Sequence, residues 1–99
     1  MKTQAFNPFD YLETQEEIDA YLQACFDDED PRVFINALGH LARHQGVSDV
    51  ARAAGLNRES LYKVFNGKAQ PKWDTVRRLM RAMGVHLVVE RDSSRRAHG

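Results

Sequence analysis

At 99 residues, of which 42% are hydrophobic and 28% charged, the chain is long enough for one small domain with its own core. Its single cysteine excludes an intramolecular disulfide framework, and no apolar run approaches the ~18–20 residues of a membrane span or forms a signal-peptide core, so we expect a soluble cytoplasmic protein. The net charge of zero is unevenly divided: residues 1–30 sum to −8 and residues 31–99 to +8. A basic region beside an acidic one is typical of proteins that bind a polyanion.

The N-terminal part of the chain predicts an arm followed by one helix. The first residues are rich in aromatic side chains, and Pro8 interrupts any helix there, so we expect an extended arm that packs its rings against the rest of the protein. Thr14 and Glu17 match a capping box for a helix over about 15–27. This helix ends in the acidic run 27–30, which is either an ordinary helix end or a surface for a basic partner protein.

Four further helices are predicted by their start signals, stop signals and apolar stripes. Asp30 before Pro31 is a strong helix start, and glycines follow the predicted helix ends. Trp73 begins the last apolar stripe, and we expect it to anchor the core there. The predicted helices cover about residues 31–45, 48–54, 58–65 and 73–83.

The stretch after the last helix is the only one rich in β-branched residues, and it predicts one strand over 85–90. Because a single strand cannot form a sheet, it must pair either with the N-terminal arm or with another chain. The polar tail is predicted to be disordered. The expected organisation is an arm and acidic helix (1–29), a helical domain (30–84), the strand (85–90) and the tail (91–99).

Small and apolar residues in the middle of the chain follow the packing pattern of a helix-turn-helix. Ala51 falls where two helices would cross closely, Gly55 lies four residues later in the turn, and Leu61 lies six beyond that on the inner face of the second helix. Each element is common by itself. Their combination, with helices predicted on both sides, favours a DNA-binding helix-turn-helix domain.

The segment SDVARAAGLNRESLYKVFNG resembles the DNA-binding core of the lambda-repressor-like, XRE-type family. Over about residues 6–90 the chain also resembles the probable addiction module antidote proteins, which are HigA-like antitoxins of bacterial toxin–antitoxin pairs. The shared features include DPxxFxxALG from Asp30, GLNRESLYK from Gly55, PxxDTV from Pro71 and the terminal GVxL from Gly84. This resemblance implies an all-α, lambda-repressor-like bundle of about five helices with a C-terminal strand used in pairing. It further implies a homodimer, double-stranded operator DNA and a cognate toxin of the RelE/HigB-like class.

The second helix of such a motif presents its N-terminal residues to base edges in the major groove. Arg58 is the expected base reader, because a guanidinium can bind guanine bidentately, and Glu59 could accept a hydrogen bond from cytosine. Helix N-termini and lysines would contact phosphates. The alternative is a solvated helix face, with Glu59 and Lys63 forming a helix-stabilising pair. The predicted DNA-binding residues are Ser48, Asn57, Arg58, Glu59, Ser60, Tyr62, Lys63, Asn66, Lys68 and Lys72.

No catalytic, metal or cofactor site is predicted. His40 and His44 are spaced like a metal pair but lack a third ligand, and Cys25 lies on an apolar stripe as a small core residue. No cluster of nucleophile, base and metal ligands indicates an enzyme. Two alternatives to the antitoxin stay open: a stand-alone transcriptional regulator without a toxin, and a protein-interaction module that does not use DNA.

Overall fold

A computed structural model describes residues 6–92 of the chain, and in this range the protein is an all-helical bundle. The bundle has five α-helices, as the sequence predicted, and a short 3-10 helix precedes them. The predicted strand is not among these elements. The 3-10 helix is Pro8–Tyr11, and the α-helices are α1 (Gln15–Asp27), α2 (Pro31–Gln45), α3 (Val47–Ala54), α4 (Arg58–Phe65) and α5 (Trp73–Ala82).

Local caps fix where the first two α-helices begin. The Thr14 hydroxyl accepts a hydrogen bond from the backbone N–H of Glu17, and the Glu17 carboxylate accepts one from the backbone of Thr14, so the predicted capping box is present. Asp30 caps α2 by accepting from the Arg32 backbone N–H at 2.9 Å. The Arg32 guanidinium also donates to this carboxylate, and that hydrogen bond lowers the pKa of Asp30. These contacts give Asp30 a role at the start of α2, whereas residues 27–29 of the acidic run are exposed.

Helix α2 lies at the centre of the bundle and contacts α1, α3, α4 and the 3-10 helix. One close approach depends on a glycine: a Cβ atom on Gly39 of α2 would lie 2.9 Å from Cγ of Phe65 in α4. Cys25 is buried, as predicted. The largest fully buried side chains are Phe9, Leu38, Leu61 and Leu79.

The prediction of an extended aromatic arm is wrong in part. Residues 8–11 form a 3-10 helix whose cap is Asn7, and only Phe9 is buried. Phe6 and Tyr11 are exposed and stack on each other with ring centroids 5.4 Å apart. Asn7 also donates its side-chain amide to the backbone carbonyl of His40 at 2.9 Å, which fastens the 3-10 helix to α2.

Of two predictions about the C-terminal third, the one for Trp73 is wrong, and the strand is not seen in the single chain. Trp73 is not a core anchor, since it is 58% exposed. Side chains in a helix tilt toward its N-terminus, so the first residue of α5 projects beyond the core that Val76 and Leu79 reach. The predicted strand over 85–90 carries no regular secondary structure. A strand needs a second backbone, and the arm that could have supplied it is helical at 8–11 instead.

Residues 1–5 and 93–99 lie outside the described part of the chain, and so does most of the tail that was predicted to be disordered. Within residues 6–92, every helix is too short or too polar to span a bilayer.

Candidate nucleic-acid interface

The turn between α3 and α4 is built around Gly55. The backbone of this residue has the left-handed conformation (φ 73°, ψ 31°), which residues other than glycine adopt at an energetic cost. The N–H of Gly55 donates to the carbonyl of Arg52 at 3.2 Å, and the N–H of Leu56 donates to that of Ala51 at 2.9 Å. These bonds satisfy carbonyls at the end of α3 and reverse the chain within a few residues.

Asn57 starts α4. Its side-chain oxygen accepts a hydrogen bond from the backbone N–H of Ser60 at 2.8 Å, which satisfies one of the free amides at the start of the helix. The side-chain NH₂ of Asn57 is not used by this cap, and Asn57 and Ser60 are both exposed. The cap therefore fixes the start of α4 and leaves polar groups there facing solvent.

An apolar stripe fixes the orientation of α4. Leu61, Val64 and Phe65 are buried, and the helix contacts both α2 and α3. Since residues three and four apart share a helix face, the remaining positions point away from the core. Arg58, Glu59 and Lys63 are exposed, so a basic and polar face of α4 is open to solvent.

Arg58 and Tyr62 interact on this open face. A terminal nitrogen of Arg58 donates to the Tyr62 hydroxyl at 3.1 Å, and the guanidinium carbon lies 5.7 Å from the ring centroid. Tyr62 is half-buried, so its ring supports the guanidinium from a fixed position. The Glu59–Lys63 pair, which belonged to the alternative of a solvated helix face, is not found among the ion pairs of residues 6–92.

The loop after α4 folds back on the end of this helix. The backbone N–H groups of Lys68 and Ala69 donate to the carbonyl of Lys63 at 2.9 and 3.1 Å, and Gly67 takes a positive φ of 78° to permit it. Lys68 is thereby brought close to the C-terminal end of α4. Asn66 occupies the cap position at that end and is exposed.

Hydrogen bonds link only some of the predicted DNA-binding residues. The structure joins Asn57 to Ser60 and Arg58 to Tyr62. In the described part of the chain, no hydrogen bond or ion pair ties the side chains of Ser48 and Lys72 to the others. Ser48 lies in the first turn of α3 and Lys72 directly before α5, and both are exposed.

A second basic surface was not singled out from the sequence. A groove of about 310 Å³ lies between α3 and α5, and three arginines of α5 border it. Arg78 pairs with Asp74 at 3.3 Å. Arg77 and Arg81 are four residues apart and therefore share a helix face. This spacing could have indicated the surface from the sequence. The lining residues are Ala53, Ala54, Asp74, Arg77, Arg78, Arg81 and Ala82.

The two histidines of α2 have separate surroundings. His44 Nδ1 lies 2.9 Å from the Asp10 carboxylate. Partial burial lowers the pKa of His40, and the nearby positive charge of Arg43 adds to this effect. Residues 6–92 contain no group of three or more potential metal ligands.

The fold and the site define a small all-helical protein that presents a polar, basic helix to solvent after a glycine turn. A family model described as "Probable addiction module antidote protein" matches residues 2–91, so the chain belongs to this family. The antidote of an addiction module is its antitoxin, and membership therefore implies a cognate toxin. This confirms the resemblance to the antidote proteins that the sequence motifs indicated.

One relative is similar along most of the chain. It is an uncharacterized protein of Haemophilus influenzae (strain KW20 / Rd), 34% identical over 85 residues that cover 86% of this chain and 88% of the relative. No solved structure matches the chain significantly.

Proposed function

We propose that this antidote protein is a sequence-specific DNA-binding autorepressor that also neutralises a RelE/HigB-like toxin. It would act in the cytoplasm as a homodimer, with α3 and α4 forming a helix-turn-helix of the lambda-repressor-like type. The toxin half of this proposal rests on the antidote family. The DNA half rests on the geometry of α4.

The exposed basic face of α4 is the observation that carries DNA binding. The glycine turn and the Asn57 cap fix the start of this helix, and its buried stripe fixes its rotation. The residues left outside include Arg58 and Glu59 in the first turn, which a recognition helix turns toward base edges, and Lys63 in the last turn.

Arg58 is the proposed base reader. Its guanidinium is exposed and lies beside the Tyr62 ring, so its freedom is already reduced before it meets DNA. Bidentate hydrogen bonds to guanine O6 and N7 would distinguish this base from the others. Glu59, the next residue of α4, would accept a hydrogen bond from the amino group of a cytosine. Asn57, Ser60 and Tyr62 would contact the DNA close to these two residues.

Phosphate contacts would flank this helix on both sides. Ser48 lies in the first turn of α3, where free backbone amides favour an anion. Asn66 and Lys68 lie at the other end of α4, and Lys72 follows in the same loop. These contacts would position the protein without reading sequence.

A binding assay with the DNA upstream of the protein's own gene tests the autorepressor. Fluorescence anisotropy should show at least about a thousandfold tighter binding to this DNA than to a shuffled duplex of equal length at physiological salt. The two half-sites should lie about 34 Å apart, one DNA turn, to match the two recognition helices of a dimer. Equal affinity for both duplexes would reject sequence-specific repression.

Toxin neutralisation is tested separately by co-expression with the product of the adjacent gene. Relief of growth arrest by the wild-type chain is the expected result. Arg58→Ala should relieve the arrest equally well, because the proposed base reader has no role in toxin binding. Failure of the wild-type chain to relieve the arrest would reject this partner, whatever the outcome with DNA.

A further inference from the structure

We propose that the cognate toxin docks, through a basic surface of its own, on exposed aromatic and acidic side chains that precede and begin α1. This inference rests on the toxin half of the proposed function and deepens it by naming the surface of this chain that the toxin covers. That surface is called here the acidic aromatic surface. It consists of Phe6, Tyr11, Glu13 and Glu16.

Two stacked rings form the apolar part of the acidic aromatic surface. Phe6 is 67% and Tyr11 71% exposed, and their ring planes lie within 17° of parallel. Large apolar side chains clustered in solvent mark an interaction site, whereas single ones need no explanation. A Phe or Tyr side chain buries about 150–250 Å², so a partner that covers both rings gains roughly a third of the ~800 Å² that each side buries in a standard interface.

The two rings stand on a backbone that is fastened to the bundle. The side-chain amide of Asn7 donates to the His40 carbonyl at 2.9 Å, and the Asp10 carboxylate lies 2.9 Å from Nδ1 of His44. Phe9, on the other side of the same 3-10 helix, is fully buried. Because these contacts hold the 3-10 helix against α2, its exposed rings lose little conformational freedom when a partner binds them.

The charge of this surface is negative and is not balanced by neighbouring bases. Glu13 and Glu16 are exposed, and neither belongs to an ion pair of residues 6–92. Helix α1 carries no basic side chain along its whole length, and residues 1–30 contain nine acidic residues against one lysine. A field of one sign attracts a partner of the opposite sign and orients it before contact.

Folding accounts for only some of these acidic residues. Glu17 caps α1 and Asp30 caps α2, so both stabilise the chain itself. Residues 27–29 are all acidic and lie at the C-terminal end of α1, where the helix dipole disfavours negative charge. A basic partner would offset this unfavourable charge.

Two other occupants fit the acidic aromatic surface poorly. The phosphates of DNA carry the same charge as its carboxylates and are repelled. A second copy of the chain, docked by two-fold symmetry, would place this surface against itself and bring like charges together. A basic protein remains, and membership of the antidote family supplies such a partner in the toxin. The product of the adjacent gene should accordingly carry a net positive charge.

Removal of the two rings tests the apolar part of the surface. Phe6→Ala with Tyr11→Ala should weaken binding to the purified product of the adjacent gene at least about tenfold in calorimetric titrations, and should relieve growth arrest less well on co-expression. Both side chains are largely exposed, so the variant should stay folded by circular dichroism. Trp73→Ala, at an exposed aromatic residue of the basic half, is the matched control and should bind like the wild type.

Removal of two carboxylates tests the charged part. Glu13→Gln with Glu16→Gln should weaken binding several-fold at about 0.1 M salt, and the difference from the wild type should vanish near 1 M, where the screening length falls to about 3 Å. Asp49→Asn with Glu90→Gln changes the net charge equally but in the basic half, and should leave the affinity unchanged. A photoreactive phenylalanine analogue at position 11 should cross-link to the toxin, whereas one at position 73 should not.

Three results would overturn the inference while the toxin stays the partner. One is a ring-deleted variant that binds and neutralises the toxin as well as Trp73→Ala does. Another is cross-linking from position 11 to a second copy of the chain or to DNA instead of to the toxin. The third is a toxin with a net negative charge. If the wild-type chain itself fails to bind the adjacent gene product, the toxin half of the proposed function is rejected and this surface with it. Failure of operator binding alone would reject the autorepressor and leave this surface standing.

Discussion

Gly39 of α2 lies directly against Phe65 of α4, so that a Cβ atom on the glycine would stand 2.9 Å from Cγ and 3.2 Å from Cβ of the ring residue. The nearest atoms belong to the root of the phenylalanine side chain, which cannot swing aside easily. Phe65 is itself buried. The absence of a side chain at position 39 is therefore what lets α4 approach the central helix.

Gly39→Ala should destabilise the protein. Overpacking a filled core costs about 1–3 kcal/mol, which exceeds the ~1 kcal/mol that alanine gains over glycine inside a helix. The free energy of unfolding is measured by urea titration followed by circular dichroism. In a Phe65→Ala background the same substitution should be much less destabilising, because Cγ and Cδ1, which would lie at 2.9 and 3.1 Å, are gone and only Cβ remains, at 3.2 Å. Equal destabilisation in both backgrounds would show that the ring is not the obstacle.

Helix positions were predictable from sequence because their signals are local. The predicted ranges of α1, α2 and α4 match the observed ones, and each of these helices starts at a capping side chain only a few residues from the groups it satisfies. Helix α3 starts one residue before the prediction and α5 ends one residue before it. The 3.6-residue period of the apolar residues also predicted which side chains of α4 face the core and which face solvent.

Features that depend on distant parts of the chain were not predictable in this way. The strand at 85–90 was inferred from residue type, but a strand also needs a partner backbone, which the sequence does not locate. The contact of Gly39 with Phe65 joins residues of two different helices. At the candidate site, the hydrogen bond of Arg58 to Tyr62 depends on the rotamers of both side chains, which the sequence does not give.

Asn57→Ala should destabilise α4 through the loss of its cap. The side-chain oxygen now accepts from the Ser60 N–H at 2.8 Å, and removing such a cap costs about 1 kcal/mol. Asn57→Ser keeps an acceptor at this position and should retain most of the stability. Thermal unfolding by circular dichroism compares the three proteins. If serine and alanine lose stability equally, the cap does not stabilise this helix.

Arg58→Ala and Lys68→Ala should weaken DNA binding in different ways. Loss of a bidentate base contact lowers specific affinity by roughly 1–3 kcal/mol and relaxes the preference at one base pair. Loss of a phosphate contact should weaken all sequences alike and reduce the slope of log affinity against log salt by about 1. Anisotropy titrations over a salt series, on operator and shuffled duplexes, separate the two. A uniform loss for Arg58→Ala would contradict its role as base reader.

Arg58 and Tyr62 should act on DNA as a coupled pair. The hydroxyl of Tyr62 accepts from the guanidinium at 3.1 Å, and Tyr62→Phe removes this bond while keeping the ring beneath the charge. In a double-mutant cycle on operator binding, residues in one such contact show coupling of about 0.5–3 kcal/mol. Arg58 with Lys68 serves as the control pair and should be additive. Additivity of Arg58 with Tyr62 would mean that the tyrosine does not orient the base reader.

Trp73→Ala should destabilise the protein far less than truncation of a core residue of the same helix. A buried tryptophan loses about 3–5 kcal/mol of stability on truncation, but Trp73 is 58% exposed, and we expect a loss of about 1 kcal/mol or less. The free energy of unfolding is measured by urea titration followed by circular dichroism. Leu79→Ala, at a fully buried position of the same helix, is the control and should cost about 2–5 kcal/mol. A loss at Trp73 as large as at Leu79 would show that the tryptophan packs in the core after all.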